Sequence, residues 1–173
     1  MKAPQASLVC ALLALAAMVP AAHATDIQYT ATSLGGTSWR YDYMVTNDDL
    51  PALDEFSVYF AAGSFANLVV SASPPGWSSI ALQPTASVDG LFDSLALNAS
   101  LPNGASVDGF SVSFTFLGTG TPGAQPFVVI DPFNGNAILR EGITRAIPEP
   151  HTLALLLAGL VPMGVWLRRR PGA

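Results

Sequence analysis

Phe110-Ser111-Val112-Ser113-Phe114-Thr115-Phe116 places an apolar side chain at every second position and a hydroxyl between. Successive side chains of a strand point to opposite faces, so this stretch reads as a strand with one face on a core and the other in water. The same period recurs upstream. Trp39, Tyr41, Tyr43 and Val45 alternate with Arg40, Asp42 and Met44, and Phe56, Val58 and Phe60 alternate with Ser57 and Tyr59. Ile27–Ser33, Asn67–Ser71, Ser78–Leu82, Leu91–Asn98, Phe127–Asp131 and Ala137–Arg145 complete a set of about nine predicted short strands.

Turn formers separate them: Gly35-Gly36, Asn47-Asp48-Asp49, Pro74-Pro75-Gly76, Asp89-Gly90, Pro102-Asn103-Gly104 and Asn134-Gly135. Gly118–Pro126 reads as one long loop. No stretch of this region combines a helix cap with an apolar stripe. The expectation is an all-β domain, a β-sandwich with Ig-like Greek-key connections, the jelly roll being the other arrangement. Nine Phe, four Tyr and two Trp lie in this region, and each can bury about 150–250 Å² in a core.

The sandwich pattern occupies 25–147, and the two ends read differently. Met1-Lys2-Ala3 is a short basic start, Leu8–Val19 is an uncharged run, Pro20 breaks it, and Ala22-His23-Ala24 offers small residues at Ala22 and Ala24. That is the layout of an export leader, a signal helix over 1–24 cleaved by signal peptidase after Ala24. At the other end, the uncharged, Leu- and Ala-rich Thr152–Leu167 runs into Arg168-Arg169-Arg170. Sixteen helical residues span about 24 Å, slightly short of a bilayer core. Three arginines at the end favour the cytoplasmic headgroups. The segment is expected to be a transmembrane helix that anchors an exported domain.

Pro148-Glu149-Pro150, the apolar stretch 152–167 and the terminal Arg168–Arg170 together resemble the PEP-CTERM sorting signal. The resemblance covers Ile147–Arg170. It implies recognition by an exosortase, a membrane-embedded peptidase that removes the anchor, in a Gram-negative bacterium that makes exopolysaccharide or biofilm matrix. Pro148 and Pro150 suit that role because they resist helix and hold the backbone extended. Tyr41-Asp42-Tyr43 with Asn47, Pro75-Gly76-Trp77, Gly109–Phe114 and Gly123–Phe127 resemble small PEP-CTERM ectodomains more loosely. They imply secretion and a β fold, and no activity.

Composition narrows the chemistry. The chain carries −5 overall from seven basic and twelve acidic residues. Four of the basic residues lie in the ends, so the region 25–147 holds three Arg against eleven acids, a balance of −8. Cys10, His23 and His151 are also terminal, and the only Lys is Lys2. The central domain therefore lacks the base that activates a catalytic Ser and the ligands that zinc and copper prefer. Its charge repels nucleic acid, and no cofactor is expected. Carboxylates remain. Two acids can run glycoside hydrolysis, but only if they face each other across a cleft. Asp48, Asp49 and Asp54 (with Glu55), and separately Asp131 with Asn134 and Asn136, could offer oxygens to Ca²⁺, though neither set matches a defined calcium loop. Trp77, following Pro74-Pro75-Gly76, is the better candidate for an exposed ring that stacks on a sugar, the other reading being a loop Trp that folds back as a plug on the sandwich end.

The expected function is therefore that of a non-enzymatic structural or adhesive protein. It is exported across the inner membrane, held by a transient anchor, processed by exosortase and deployed on the cell surface or in the matrix. The alternative is a carbohydrate-binding module for exopolysaccharide, built on Trp77.

Overall fold

The computed structural model describes residues 25–98 and 100–147. The leader over 1–24 and the tail over 148–173, with the helices expected in them, lie outside the described residues. Within the described residues all regular structure is β, and no helix is long and apolar enough to cross a membrane.

Twelve strands form: β1 (Asp26–Gly35), β2 (Ser38–Asn47), β3 (Ala52–Leu53), β4 (Glu55–Phe60), β5 (Phe65–Ala72), β6 (Trp77–Leu82), β7 (Gly90–Ala96), β8 (Leu101–Pro102), β9 (Ala105–Phe116), β10 (Pro126–Asp131), β11 (Ala137–Ile143) and β12 (Arg145–Ala146). Alternation predicts about nine. The additional three, β3, β8 and β12, have two residues each, too few to carry a period. One five-stranded sheet has the order β12-β1-β2-β9-β5 and a second has β11-β10-β4-β7-β6, while β3 pairs only with β8. Every pairing is antiparallel except that of β1 with β12. Among the ten strands of the two sheets, hairpins link β1–β2, β6–β7 and β10–β11, and all other connections pass from one sheet to the other.

The core is the space between the sheets. Tyr41, Tyr43 and Val45 of β2 and Phe110, Val112 and Phe114 of β9 are buried against Phe56, Val58 and Phe60 of β4 and Phe92 of β7. Rings meet across the gap: Phe56–Phe110 at 5.0 Å edge to face, Tyr43–Phe92 at 5.9 Å stacked and Tyr41–Phe60 at 6.2 Å. Such pairs add roughly 0.5–1.5 kcal/mol beyond the area they bury. The Tyr41 hydroxyl donates to the carbonyl of Gly123 at 2.7 Å, which fixes the loop between β9 and β10 on the sandwich end. Tyr43 is different. Its hydroxyl is buried without a hydrogen-bond partner among the described residues, and burial pushes both phenols well above their ordinary pKa.

The two outer faces differ in chemistry. On the first sheet Asp42 is paired with Thr30 and Ser111, and Ser113 shares a hydrogen bond with Ser71. That face is dominated by hydroxyls, with an Arg40–Asp42 ion pair at 3.0 Å. On the second sheet the outer side of the two edge strands carries exposed apolar residues: Ile80 and Leu82 on β6 are 52% and 53% exposed, Ile138 and Ile143 on β11 56% and 57%.

Candidate functional site

Asn47, the last residue of β2, organises the acidic loop that follows. Its side chain is fully buried, and its amide donates to the carbonyls of Leu50 and Leu101 at 3.0 and 2.9 Å. Its Oδ1 accepts from Leu50 N–H at 3.0 Å. The side chain thus satisfies a tight turn and ties it to β8. This turn aims Asp49 back toward the start of β1.

Asp49 holds two partners with separate oxygens. Oδ1 accepts from the backbone N–H of Thr25 at 3.2 Å and from the Thr25 hydroxyl at 2.9 Å. Oδ2 accepts from Arg140 Nε of β11 at 2.5 Å. These donors hold the Asp49 carboxyl below its ordinary pKa, against the opposing effect of desolvation, individually the largest influence on it. Asp54 accepts from the hydroxyl of Ser100 instead, and Asp131 caps its own turn by accepting from Phe133 N–H at 3.0 Å. Asp49 and Asp54 thus serve different partners, and among the described residues no three His, Cys, Asp or Glu side chains form a group that could hold a metal ion.

A different pair of acids does meet. Glu55 and Ser57 lie on the outer side of β4, and Asp93 lies opposite Ser57 on β7. The Ser57 hydroxyl donates to Asp93 Oδ1 at 2.6 Å. Desolvation raises both carboxyls, and for Glu55 the neighbouring Asp93 charge raises it further. Burial and the neighbouring charge thus favour the protonated forms here, but the two acids stand on an open sheet face. No walls fix a substrate between the two groups, so the geometry does not build the cleft that glycoside hydrolysis requires. The pairing was unreadable in sequence, since 38 positions separate Glu55 from Asp93 and only strand register joins them.

A groove of about 570 Å³ crosses the first sheet, lined by Met44, Ser73, Pro74, Pro75, Asp108 and Gly109 among others. It arises where the pairing of β2 with β9 shifts register between Tyr43 and Val45. Gly109 there adopts a φ of 92°, a conformation side chains resist. The groove is proline-walled with a mixed polar and apolar lining, and no aromatic ring lines it.

Trp77, the candidate either for an exposed platform or for a plug folded back on the sandwich end, opens β6. Its ring meets Phe110 edge to face at 5.2 Å and Phe56 at 6.1 Å, half-buried against the core. It closes the sandwich end. Ala22, Ala24, Pro148, Glu149, Pro150 and Arg168–Arg170 lie outside the described residues.

Neither a protein-family model nor a curated protein matches the chain. Among solved structures it is similar to the chitin-binding domain of Chi18aC from Streptomyces coelicolor. That match has 16% identity and a TM-score of 0.39 over 66% of this chain and 93% of that one. It is also similar to a non-cellulosomal cohesin from the hyperthermophilic archaeon Archaeoglobus fulgidus, with 10% identity and a TM-score of 0.31 over 75% and 96%.

Proposed function

We propose that this chain is an exported, non-enzymatic structural or adhesive domain of the cell surface or matrix. In this reading signal peptidase removes the leader after Ala24. The segment 152–167 with Arg168–Arg170 then holds the domain at the inner membrane, and an exosortase acting at Pro148-Glu149-Pro150 releases it. One observation carries the reading. The first strand starts at Asp26, two residues after Ala24, and the last ends at Ala146, two residues before Pro148. The strands of the described residues thus lie within the interval between the two proposed signals. The raised but uncleft Glu55–Asp93 pair and the core-packed Trp77 favour a scaffold over a hydrolase or a ring-stacking lectin.

Intact-mass measurement of the protein recovered from surface and medium tests this. The expected product begins at Thr25 and lacks Thr152–Arg170, and a strain without its exosortase retains them. A mature protein that keeps the tail in the wild-type strain refutes exosortase release. Tight binding to the host's exopolysaccharide, lost on Trp77→Ala in a folded protein, would favour the carbohydrate-binding alternative.

A further inference from the structure

We propose that Asp49 is the seat of the N-terminal ammonium created when the leader is removed, so that processing itself tightens the fold. The inference rests on the leader reading above. Thr25 is the residue that removal exposes, and it is already in place: its side chain is buried, and its N and Oγ1 both donate to Asp49 Oδ1. In the uncleaved chain that nitrogen is an amide with one hydrogen and no charge. Hydrolysis breaks the Ala24–Thr25 C–N bond. Water supplies a hydroxyl to Ala24 and a hydrogen to the Thr25 amine, which takes up a further proton at neutral pH because its ordinary pKa is about 7.7–8.0. The product is an ammonium with three donors at 3.2 Å from a carboxylate oxygen.

The surrounding charges favour it. Asp26 and Asp48 are near neighbours in the chain, and the central region is acidic throughout. The opposing charge is Arg140, which occupies Oδ2 and leaves Oδ1 to the terminus. Arg145 lies 3.6 Å from Asp26 Oδ1 and is directed there. Asp49 therefore clamps β1 to β11, one edge strand of the second sheet, through the terminus on one oxygen and Arg140 on the other. The Thr25 amide already donates to an ionised acceptor, and cleavage adds a positive charge on the donor, turning that bond into an ion pair. For a partly exposed pair this corresponds to a gain of roughly two- to tenfold in the folding equilibrium constant.

The test compares Thr25–Ala173 in mild detergent micelles with the same protein acetylated at Thr25, which restores the uncharged amide of the uncleaved chain. Urea titration at pH 6.5 should give the free-amine form a folding constant about two- to tenfold larger, and Asp49→Asn should abolish that difference. Equal stabilities of the two forms overturn the seat. If Asp49→Asn does not fold, the titration of the Thr25 ammonium decides by NMR. An apparent pKa raised above the ordinary range supports the seat, and an ordinary one overturns it. N-terminal sequencing of the exported protein addresses the leader separately: a first residue other than Thr25 refutes cleavage after Ala24, whatever the titrations give.

Discussion

Asn47→Ala should cost more stability than its single position suggests, because one buried carboxamide serves three backbone groups. The substitution removes both donations, to Leu50 and Leu101, and the acceptance from Leu50 N–H. The Leu50 carbonyl retains a bond from Asn103 Nδ2 at 3.2 Å. The Leu101 carbonyl and the Leu50 N–H lose these side-chain partners in a place where Asn47 itself is fully buried. A net loss of about 0.5–1.5 kcal/mol per bond, with the added penalty of stranded buried groups, gives about 2–4 kcal/mol. At an m-value of roughly 1–2 kcal/mol/M this moves the urea midpoint down by roughly 1–4 M with an unchanged slope. Asn47→Asp should be no better at neutral pH, since it preserves the acceptor for Leu50 N–H but faces two carbonyls with a charge. It should recover part of the loss in acid, where a protonated carboxyl can donate to one of them. Urea titration of both variants, with amide exchange at Leu50, provides the check. A loss below about 1 kcal/mol for Asn47→Ala, or retained protection at Leu50, would refute the view that this side chain holds the turn.

The two core tyrosines should respond in opposite directions. Tyr41→Phe gives up the bond to Gly123 and should cost about 0.5–1.5 kcal/mol, whereas Tyr43→Phe removes an unpartnered buried hydroxyl and should be neutral or stabilising. A loss above about 1 kcal/mol for Tyr43→Phe in thermal unfolding contradicts this. Gly90→Ala would place a Cβ 2.7 Å from Pro84 N and 2.8 Å from Leu82 O, both backbone atoms, so the turn between β6 and β7 must move. The expected cost is about 1–3 kcal/mol, read in the same assay. Glu55 has a raised folded pKa, so its contribution is complete below the ordinary carboxylate range and is lost as pH rises through the raised value. Glu55→Gln should therefore be more stable than the parent at pH 7, with the gain vanishing near pH ~3; an undiminished gain at the lower pH refutes the assignment.

The strands that alternate cleanly, β2, β4 and β9, were legible because each turns one face to the apolar core and sets polar or partly exposed residues on the other, which imprints period two on the residues. Their glycine- and proline-bearing turns were legible for the same local reasons. The arrangement of β3 with β8 was not, because Leu53 and Leu101 meet through loops whose course Asn47 decides. Trp77 shows the limit for side chains near turns. Pro74-Pro75-Gly76 announces a turn, but whether the next ring faces water or folds onto Phe110 depends on what the opposite sheet leaves open. The loop acids follow the same rule. Asp49 and Asp54 are close in sequence and bond different partners, whereas Glu55 and Asp93 are distant and adjacent in space.

The parallel pairing of β1 with β12 bears on how the domain meets mechanical load. Gln28 is in register with Arg145 and Tyr29 with Ala146, and Ile147 N–H donates to Tyr29 O at 2.9 Å. In parallel strands the chain enters β1 at one end of the edge and leaves β12 heading toward the other. A pull on the tail, resisted by the Thr25 end, therefore acts along these hydrogen bonds' strands and strains them together in shear instead of unzipping them one at a time. The clasp is only two residues long, so it would yield first, freeing a few residues of chain while the aromatic interior stays closed.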